Sequence, residues 1–236
     1  MKFFFPFFFL VVFNQLGYTQ SFSGVVEYTV QPQKVAVDNA DAKAKMMFAL
    51  LEKTAKNQIY VLEFSGAVSK FHKKELLSTG QLSSEKERLL QKAASKLYGT
   101  NDTYFFDKTN SKFVIKDVDG NLFFLIEKLD WNITSETKKI GDYQCYKATA
   151  KKVGMDKFGK EKSTPVVAWF APALPYGFGP IDFNGLPGLI IELQFYKTVY
   201  LATKIVVNKN SKNKIELPKG KMSDYNEYQK SFVGKI

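Results

Sequence analysis

Residues 185–190 read Gly185-Leu186-Pro187-Gly188-Leu189-Ile190, and they run directly into the apolar stretch Ile191-Glu192-Leu193. Pro187 restricts its own φ angle and disfavours helical geometry at Leu186. Gly185 and Gly188 permit positive φ angles, or a close approach of the backbone to a packed neighbour. Since Pro-Gly is a turn dipeptide, the hexapeptide predicts a tight loop that leads into a buried strand starting at Leu189. We expect Leu186 to fill the core.

A second interpretation gives the hexapeptide loop a functional role. Residues 175–180 read Pro-Tyr-Gly-Phe-Gly-Pro, and loops rich in glycine, proline and aromatic residues are often ligand-facing. Residues 175–180 and the hexapeptide would then form the two lips of a cavity mouth. Asp182 and Glu192 flank the hexapeptide, and a hydrolase would use them as an acid–base pair. Two carboxylates this close in sequence are common, so a solvated rim is the preferred interpretation.

The first twenty residues have the pattern of a secretory signal peptide. Lys2 is their only charge, an apolar run extends from Phe3 to Phe13, and a polar stretch follows. The run is too short for a membrane-spanning helix. We therefore predict a signal peptide at residues 1–20 and a single exported domain at residues 21–236, with no transmembrane segment in the mature chain. An uncleaved N-terminal anchor is the less favoured alternative. The expected location is the periplasm, with the outer membrane or the exterior as alternatives.

The chain lacks the usual signatures of an enzyme. Cys145 is the only cysteine and His72 the only histidine, so we expect no disulfide and interpret Cys145 as a small buried hydrophobe. The sequence contains neither a Gly-x-Ser-x-Gly elbow nor a paired-histidine zinc motif nor a phosphate-binding glycine loop. We predict that the protein is not an enzyme and has no catalytic residues, cofactor or metal site.

The net charge of +11 comes almost entirely from lysine. Arg88 is the only arginine, and arginine is the residue that best reads guanine edges and clamps phosphate. The lysines are scattered along the chain without a long run. This pattern indicates a solvated basic surface and argues against nucleic acid as a partner.

Helical periodicity marks two segments. In residues 41–56, apolar side chains recur at spacings of three and four, which predicts a helix whose apolar face packs on a sheet. These side chains are Met46, Met47, Leu50, Leu51 and Ala55. A flexible binding groove lined by methionine is the less favoured alternative. A second helix is expected at about Glu85–Leu97, with Ser84 and Glu87 as a capping box and Gly99 ending it in a left-handed conformation. Its apolar stripe consists of Leu89, Leu90, Ala93, Ala94 and Leu97.

Most of the remaining chain has strand character. Short connections join the predicted strands after Gly99, and Asp119-Gly120 is a strong hairpin signal. The predicted strands are Ser23–Val30, Tyr60–Phe64, Tyr104–Phe106, Lys112–Lys116, Leu122–Ile126, Trp131–Thr134, Tyr143–Ala150, Val166–Phe170, Leu189–Tyr196 and Val199–Val207. In the polar tail at residues 209–236 we expect a short helix capped by Ser223. We predict an α+β fold, in which a mostly antiparallel, curved meander sheet carries two or three helices on or beside it.

Three blocks of sequence resemble the GLPGLI family. Residues 131–149 resemble its tryptophan-to-cysteine hairpin, and the other blocks are Ala168-Trp169-Phe170 with Gly179-Pro180, and the hexapeptide. The likeness extends more loosely through residues 60–64. It implies an exported Bacteroidota protein of unassigned role, and it supplies no catalytic residues. We interpret the motif residues as structural; they are Trp131, Cys145, Trp169, Gly179, Pro180, Gly185, Leu186, Pro187, Gly188, Leu189 and Ile190.

Two hypotheses of function follow. In the first, the protein is a non-enzymatic envelope protein that binds an apolar ligand or lipid on its sheet, and its curved sheet resembles the periplasmic lipoprotein carriers. In the second, it is an interaction module for an outer-membrane assembly or transport receptor. The first hypothesis predicts a lined cavity on the concave face of the sheet. The second predicts a filled core with an exposed edge or patch.

Overall fold

A computed structural model describes residues 22–33, 41–75, 84–126, 128–155, 159–209 and 214–231. The predicted signal peptide at residues 1–20 lies outside the described residues. None of the helices in the described ranges has the length and apolarity that a membrane crossing requires.

One open, curved sheet contains all the strands of the described residues. These strands are β1 (Phe22–Pro32), β2 (Ile59–Ser65), β3 (Val68–Lys73), β4 (Thr103–Asp107), β5 (Lys112–Lys116), β6 (Leu122–Leu125), β7 (Asn132–Ile140), β8 (Tyr143–Met155), β9 (Glu161–Ala171), β10 (Leu189–Phe195), β11 (Thr198–Lys209) and β12 (Met222–Asp224). Their order is β12-β6-β5-β4-β3-β2-β1-β11-β10-β9-β8-β7. Every neighbouring pair is antiparallel except β12 and β6.

The predicted antiparallel α+β fold is therefore confirmed, and it contains two strands that were not predicted. β3 follows β2 across a turn in which Gly66 has a φ of 57°. In β3 only Val68 and Phe71 are strongly apolar. The alternation of apolar and polar residues along this strand is therefore too weak to predict it from the sequence. β12 belongs to the segment that was predicted as a polar tail, and it pairs in parallel with β6.

Three helices accompany the sheet in the described residues: α1 (Ala42–Lys56), α2 (Glu85–Tyr98) and α3 (Tyr225–Lys230). The capping box of α2 is confirmed, because the Glu87 backbone N–H donates to Ser84 Oγ and the Ser84 N–H donates to the Glu87 carboxylate. The predicted cap of α3 was wrong. The Asp224 carboxylate accepts from the first turn, where a negative charge suits the helix dipole, and Ser223 lies in β12.

Gly99 ends α2, but not in the predicted left-handed conformation. Its φ is −155°, which any residue can adopt. The glycine is required here by space, because a Cβ atom at this position would overlap the Tyr60 hydroxyl. That hydroxyl donates to the Thr100 carbonyl oxygen at 3.2 Å and so ties the end of α2 to β2.

The prediction that the apolar side chains of α1 all face the core was also wrong. Ala55 is fully buried, whereas Met46 is 76% exposed. At 100° per residue, nine residues turn a helix through two and a half turns, so Met46 and Ala55 lie on opposite sides. Apolar residues at spacings of three and four do not stay on one line but spread around the helix. Only those on one side of α1 can contact the sheet. In α2, likewise, Ala94 is buried and Leu89 is exposed.

Different elements cover the interior of the curved sheet at the two ends of its central strands. The α1–α2 pair closes one end, where Thr198 Oγ1 donates to the Tyr98 carbonyl oxygen at 2.9 Å. The connection between β9 and β10, residues 172–188, closes the other end. There the Tyr176 ring centre lies 4.6 Å from that of Phe64 and 5.9 Å from that of Phe22. The hexapeptide belongs to this second closure.

Candidate functional site

The hexapeptide combines an open turn with a very close backbone packing. Gly185 has a φ of 87° and no atom would meet a Cβ there, so this glycine is required by its conformation. At Gly188 a Cβ atom would overlap the Ala171 carbonyl group, so that glycine is required by space. Leu186 is buried between them, as predicted. The turn therefore places Leu189 in register with Ala171 at the start of β10.

The two loops proposed as lips of a cavity are bonded directly to each other. The Gly185 N–H donates to the Gly177 carbonyl oxygen at 3.0 Å, and the Ile190 N–H donates to that of Phe178 at 3.0 Å. Gly179 packs against Ile190 and the Phe183 carbonyl so closely that a Cβ would not fit, and Pro180 beside it is buried. The interpretation of these loops as the two sides of a mouth is therefore wrong.

Two long-range hydrogen bonds hold this closure and the end of the hexapeptide in place. Trp131 Nε1 donates to the Asn184 carbonyl oxygen at 2.8 Å, and its ring lies against that of Phe183. From the inside of the sheet, the Tyr28 hydroxyl donates to the Ile190 carbonyl oxygen at 2.6 Å. Trp131 of the first motif block thus holds the loop that contains the hexapeptide.

Asp182 and Glu192 do not form an acid–base pair. The Asp182 carboxylate is 2.5 Å from Lys152 Nζ, and both carboxylate oxygens of Glu192 are 2.8 Å from Lys138 Nζ. Each carboxylate therefore has its own lysine partner. Asp182 is only 9% exposed, so the expectation of a solvated rim is also wrong for this residue.

Residues from the first two motif blocks meet Glu192, which follows the hexapeptide by two positions, on the outer face of β7–β10. Lys138 Nζ lies 4.4 Å from the centre of the Trp169 ring while it pairs with Glu192. Lys147 Nζ lies 6.0 Å from the same ring centre and pairs with Glu136 at 2.8 Å. We call these five residues the Trp169 cluster. The Lys138 side chain therefore reaches from β7 past β8 to residues of β9 and β10.

Cys145 is fully buried next to this cluster. Burial raises the pKa of its thiol, Lys138 lowers it and Glu192 raises it. A protonated thiol is a poor nucleophile. His72, on β3, cannot act as its base, because five strands separate β3 from β8 in the sheet. Cys145 therefore behaves as the small buried hydrophobe that the sequence indicated.

The outer face continues from the Trp169 cluster along β9 and β10. Val167 and Gln194 pair opposite each other, two residues from Trp169 and Glu192, so they share that face. A surface hollow of about 290 Å³ follows, lined by Val167, Gln194, Tyr196 and neighbouring residues of β9. We call the face from the Trp169 cluster to Tyr196 the outer strip.

Tyr196 ends the outer strip as an exposed aromatic side chain. It occupies the β10–β11 hairpin with a φ of 55°, an uncommon conformation for a bulky residue. Lys162 Nζ and Lys197 Nζ lie 5.5 and 5.3 Å from the centre of its ring. Like Trp169, it is thus an aromatic ring flanked by two lysines. Tyr196 was not among the predicted site residues, because a tyrosine in a short hairpin turn was its only signal in the sequence.

The described residues contain no group of three or more histidine, cysteine, aspartate or glutamate side chains that could hold a metal ion. The chain matches the model of a family described as "Protein of unknown function (Porph_ging)". The matched residues are 131–161 and 151–192, which run from Trp131 to Glu192. All the members of the Trp169 cluster and the hexapeptide lie inside this range. The match is consistent with the resemblance to the GLPGLI family. No curated protein matches the chain.

Among solved structures, the chain is similar to PNGF-II in its C2 and P21 crystal forms. The identities are 13% and 14%, the TM-score is 0.50 for each, and the alignment covers 92% of this chain. It covers 33% of the PNGF-II chain, so this protein spans about a third of that length. At such low identity the likeness concerns the fold alone.

Proposed function

We propose that this chain is an exported, non-enzymatic protein of the GLPGLI family that binds a partner protein of the cell envelope through its outer strip. The observation that carries the proposal is the filled interior of the curved sheet. It favours the interaction module over the carrier of an apolar ligand, the hypothesis in which the sheet resembles the lipoprotein carriers.

Four aromatic rings occupy the space where a carrier would hold its ligand. Tyr60 and Phe71 stack with ring centres 5.6 Å apart, and Tyr200 meets both of them edge-on at 5.7 and 5.9 Å. Tyr28 packs on Phe71 at 6.2 Å. All four side chains are at most 2% exposed. A site for a small apolar ligand is ordinarily a cavity of several hundred Å³ (roughly 300–1,000), and these rings fill the corresponding space.

The outer strip has the features of a protein-binding surface. Tryptophan and tyrosine are enriched among the residues that contribute most to binding energy at interfaces. Trp169 and Tyr196 stand on a rigid sheet, and the lysine–carboxylate pairs around Trp169 hold its surroundings in one arrangement. A preorganised surface loses little side-chain entropy on binding.

The surroundings of the polar groups support a role without catalysis. Asp182 and Glu192 are neutralised by lysines, and Cys145 is buried without a base. An enzyme needs a free nucleophile, acid or base at a position that substrate can reach. The expected location remains the periplasm, with the outer membrane or the exterior as alternatives, because the N-terminal pattern predicts export.

A photocrosslinking experiment in the native host tests the partner. A photoreactive phenylalanine analogue replaces Tyr196 or Gln194 in the outer strip. The matched control replaces Val206, a similarly exposed residue of β11 outside the strip. We expect both strip positions to crosslink to the same envelope protein and the control position to give no such product. Trp169→Ala should reduce the yield at both strip positions.

One combination of results would contradict the proposal that the outer strip binds a partner protein. If the strip positions give no specific product, and native mass spectrometry of the protein from its host finds a bound lipid, the carrier hypothesis replaces this proposal.

A further inference from the structure

The solvent side of α1 is apolar as well as basic. Met46, Met47 and Leu50 are 76%, 49% and 38% exposed. At 100° per residue, Met46 and Leu50 lie about 180° and about 140° around the helix from the buried Ala55, and Met47 lies at the flank of the same face. Lys43 precedes Met46 by three residues and Lys53 follows Leu50 by three, so these lysines adjoin the same face. Exposed apolar side chains grouped in this way mark an interaction surface on a soluble domain.

The neighbouring helix α2 presents the same combination. Leu89 is 62% exposed, and Lys86, Lys92 and Lys96 follow the three- and seven-residue spacings that place them on its side of the helix. The two helices pack against each other at the end of the sheet, where Gln58 Nε2 after α1 donates to the Gln91 carbonyl oxygen of α2 at 2.9 Å. Their solvent sides together form what we call the helix-pair face.

The charge of this face is strongly positive. The helices α1 and α2 contain eight basic and three acidic residues, a net charge of +5. All eight basic side chains are exposed, and none of them forms an ion pair with a residue in the described ranges. An anionic partner would therefore meet lysines and an arginine that no carboxylate of the described ranges pairs with.

We infer that the helix-pair face docks on an anionic lipid surface. Methionine and leucine side chains would enter the boundary between head groups and acyl chains, and the flanking lysine stems would extend their ammonium groups to the lipid phosphates. A second copy of this chain fits the face poorly, because a symmetric pair would bring two surfaces of +5 together. The inference is independent of the outer strip, which lies on β7–β10.

The inference is tested by sedimenting the protein, purified from its native host, with phosphatidylcholine vesicles that contain or lack phosphatidylglycerol. We expect binding only to the vesicles with phosphatidylglycerol, and weaker binding as salt rises, because salt screens exposed charges. The variant Met46→Gln/Met47→Gln/Leu50→Gln should bind about tenfold more weakly, since less apolar area enters the bilayer. Lys43→Gln and Lys53→Gln should each lower affinity about fivefold.

The matched control is Val153→Gln/Val206→Gln, which removes two exposed apolar residues from strands β8 and β11. It should bind like the unchanged protein, and circular dichroism checks that every variant is folded. Binding to neither vesicle, or equal binding to both, overturns the inference. So does a dimer in light scattering that the triple variant abolishes, because the face would then belong to a second copy.

Discussion

At Gly188 the backbone passes so close to the Ala171 carbonyl that no side chain fits. At Gly185, three residues earlier, there is open space, but the φ of 87° disfavours every residue with a Cβ atom. Glycine is therefore required for two different physical reasons within one hexapeptide: space at Gly188 and backbone conformation at Gly185. The sequence predicted both possibilities but could not assign either one to a position, because the neighbour of Gly188 comes from another strand.

Alanine substitutions separate these two reasons. Gly188→Ala should lower the free energy of unfolding by about 1–3 kcal/mol through overpacking against Ala171. Gly185→Ala should cost about 1 kcal/mol through its left-handed conformation. Gly154→Ala is the control, because its Cβ would meet no atom and its φ is not positive. Urea denaturation measures all three, and an equal loss at Gly154 would contradict this account.

Tyr28 links the inside of the sheet to the hexapeptide through its bond to the Ile190 carbonyl. Tyr28→Phe removes only the hydroxyl and should lower the free energy of unfolding by about 1–3 kcal/mol near neutral pH. Urea denaturation of the two proteins at pH 8 measures this difference.

The same pair of proteins has a predictable pH dependence. Burial raises the pKa of Tyr28, so the folded protein holds this phenol neutral. A raised pKa gives a contribution that is complete below about pH 10, the unfolded value, and is lost as the pH rises above it. The stability difference between the unchanged protein and Tyr28→Phe should therefore shrink above pH 10. A difference that stays constant to pH 11 would show that Tyr28 ionises without unfolding.

At the scale of elements, sequence motifs correctly predicted one helix cap and one turn that depend only on residues close together in the chain. The capping box of α2 and the Gly120 turn between β5 and β6 involve residues within a few positions of each other. β3 was missed because its alternation contains little apolar contrast. The face of α1 was misassigned because its periodicity cannot say which side meets the sheet.

The ion pair between Lys138 of β7 and Glu192 of β10 should stabilise the fold only modestly. A double-mutant cycle with Lys138→Met and Glu192→Gln should give a coupling energy of about 1 kcal/mol. The pair is partly exposed, with 36% and 20% of the two side chains accessible, so a larger value is not expected. Strictly additive losses in urea denaturation would mean that the ion pair over Trp169 does not contribute to stability.

At the scale of the whole molecule, both edges of the sheet are protected against pairing with other chains. Edge strand β7 has an irregular register between Ile133 and Thr137 and carries Lys138 and Lys139. The opposite edge strand, β12, has only three residues and leads into α3. Tyr228 of α3 covers Phe123 of β6, with ring centres 4.3 Å apart.

Truncation of the chain tests whether β12 and α3 protect the edge of the sheet at β6. A chain ending at Lys221 should lose about 2 kcal/mol or more of stability and aggregate, because it exposes Phe123 and the edge of β6. A chain ending at Ser231 keeps β12 and α3 and serves as the control. Light scattering and urea denaturation distinguish them. Equal behaviour of the two chains would mean that α3 does not protect this edge.

Sequence patterns were enough to predict the type and order of most elements, the turn at the hexapeptide and the buried state of Cys145 and Leu186. These follow from backbone restriction and from local alternation of apolar residues. Three features follow only from the three-dimensional packing: β1 pairs with β11, aromatic rings fill the interior, and Lys138, Trp169 and Glu192 meet. Such contacts depend on strand register between distant residues, and register is set by the packing of the whole sheet.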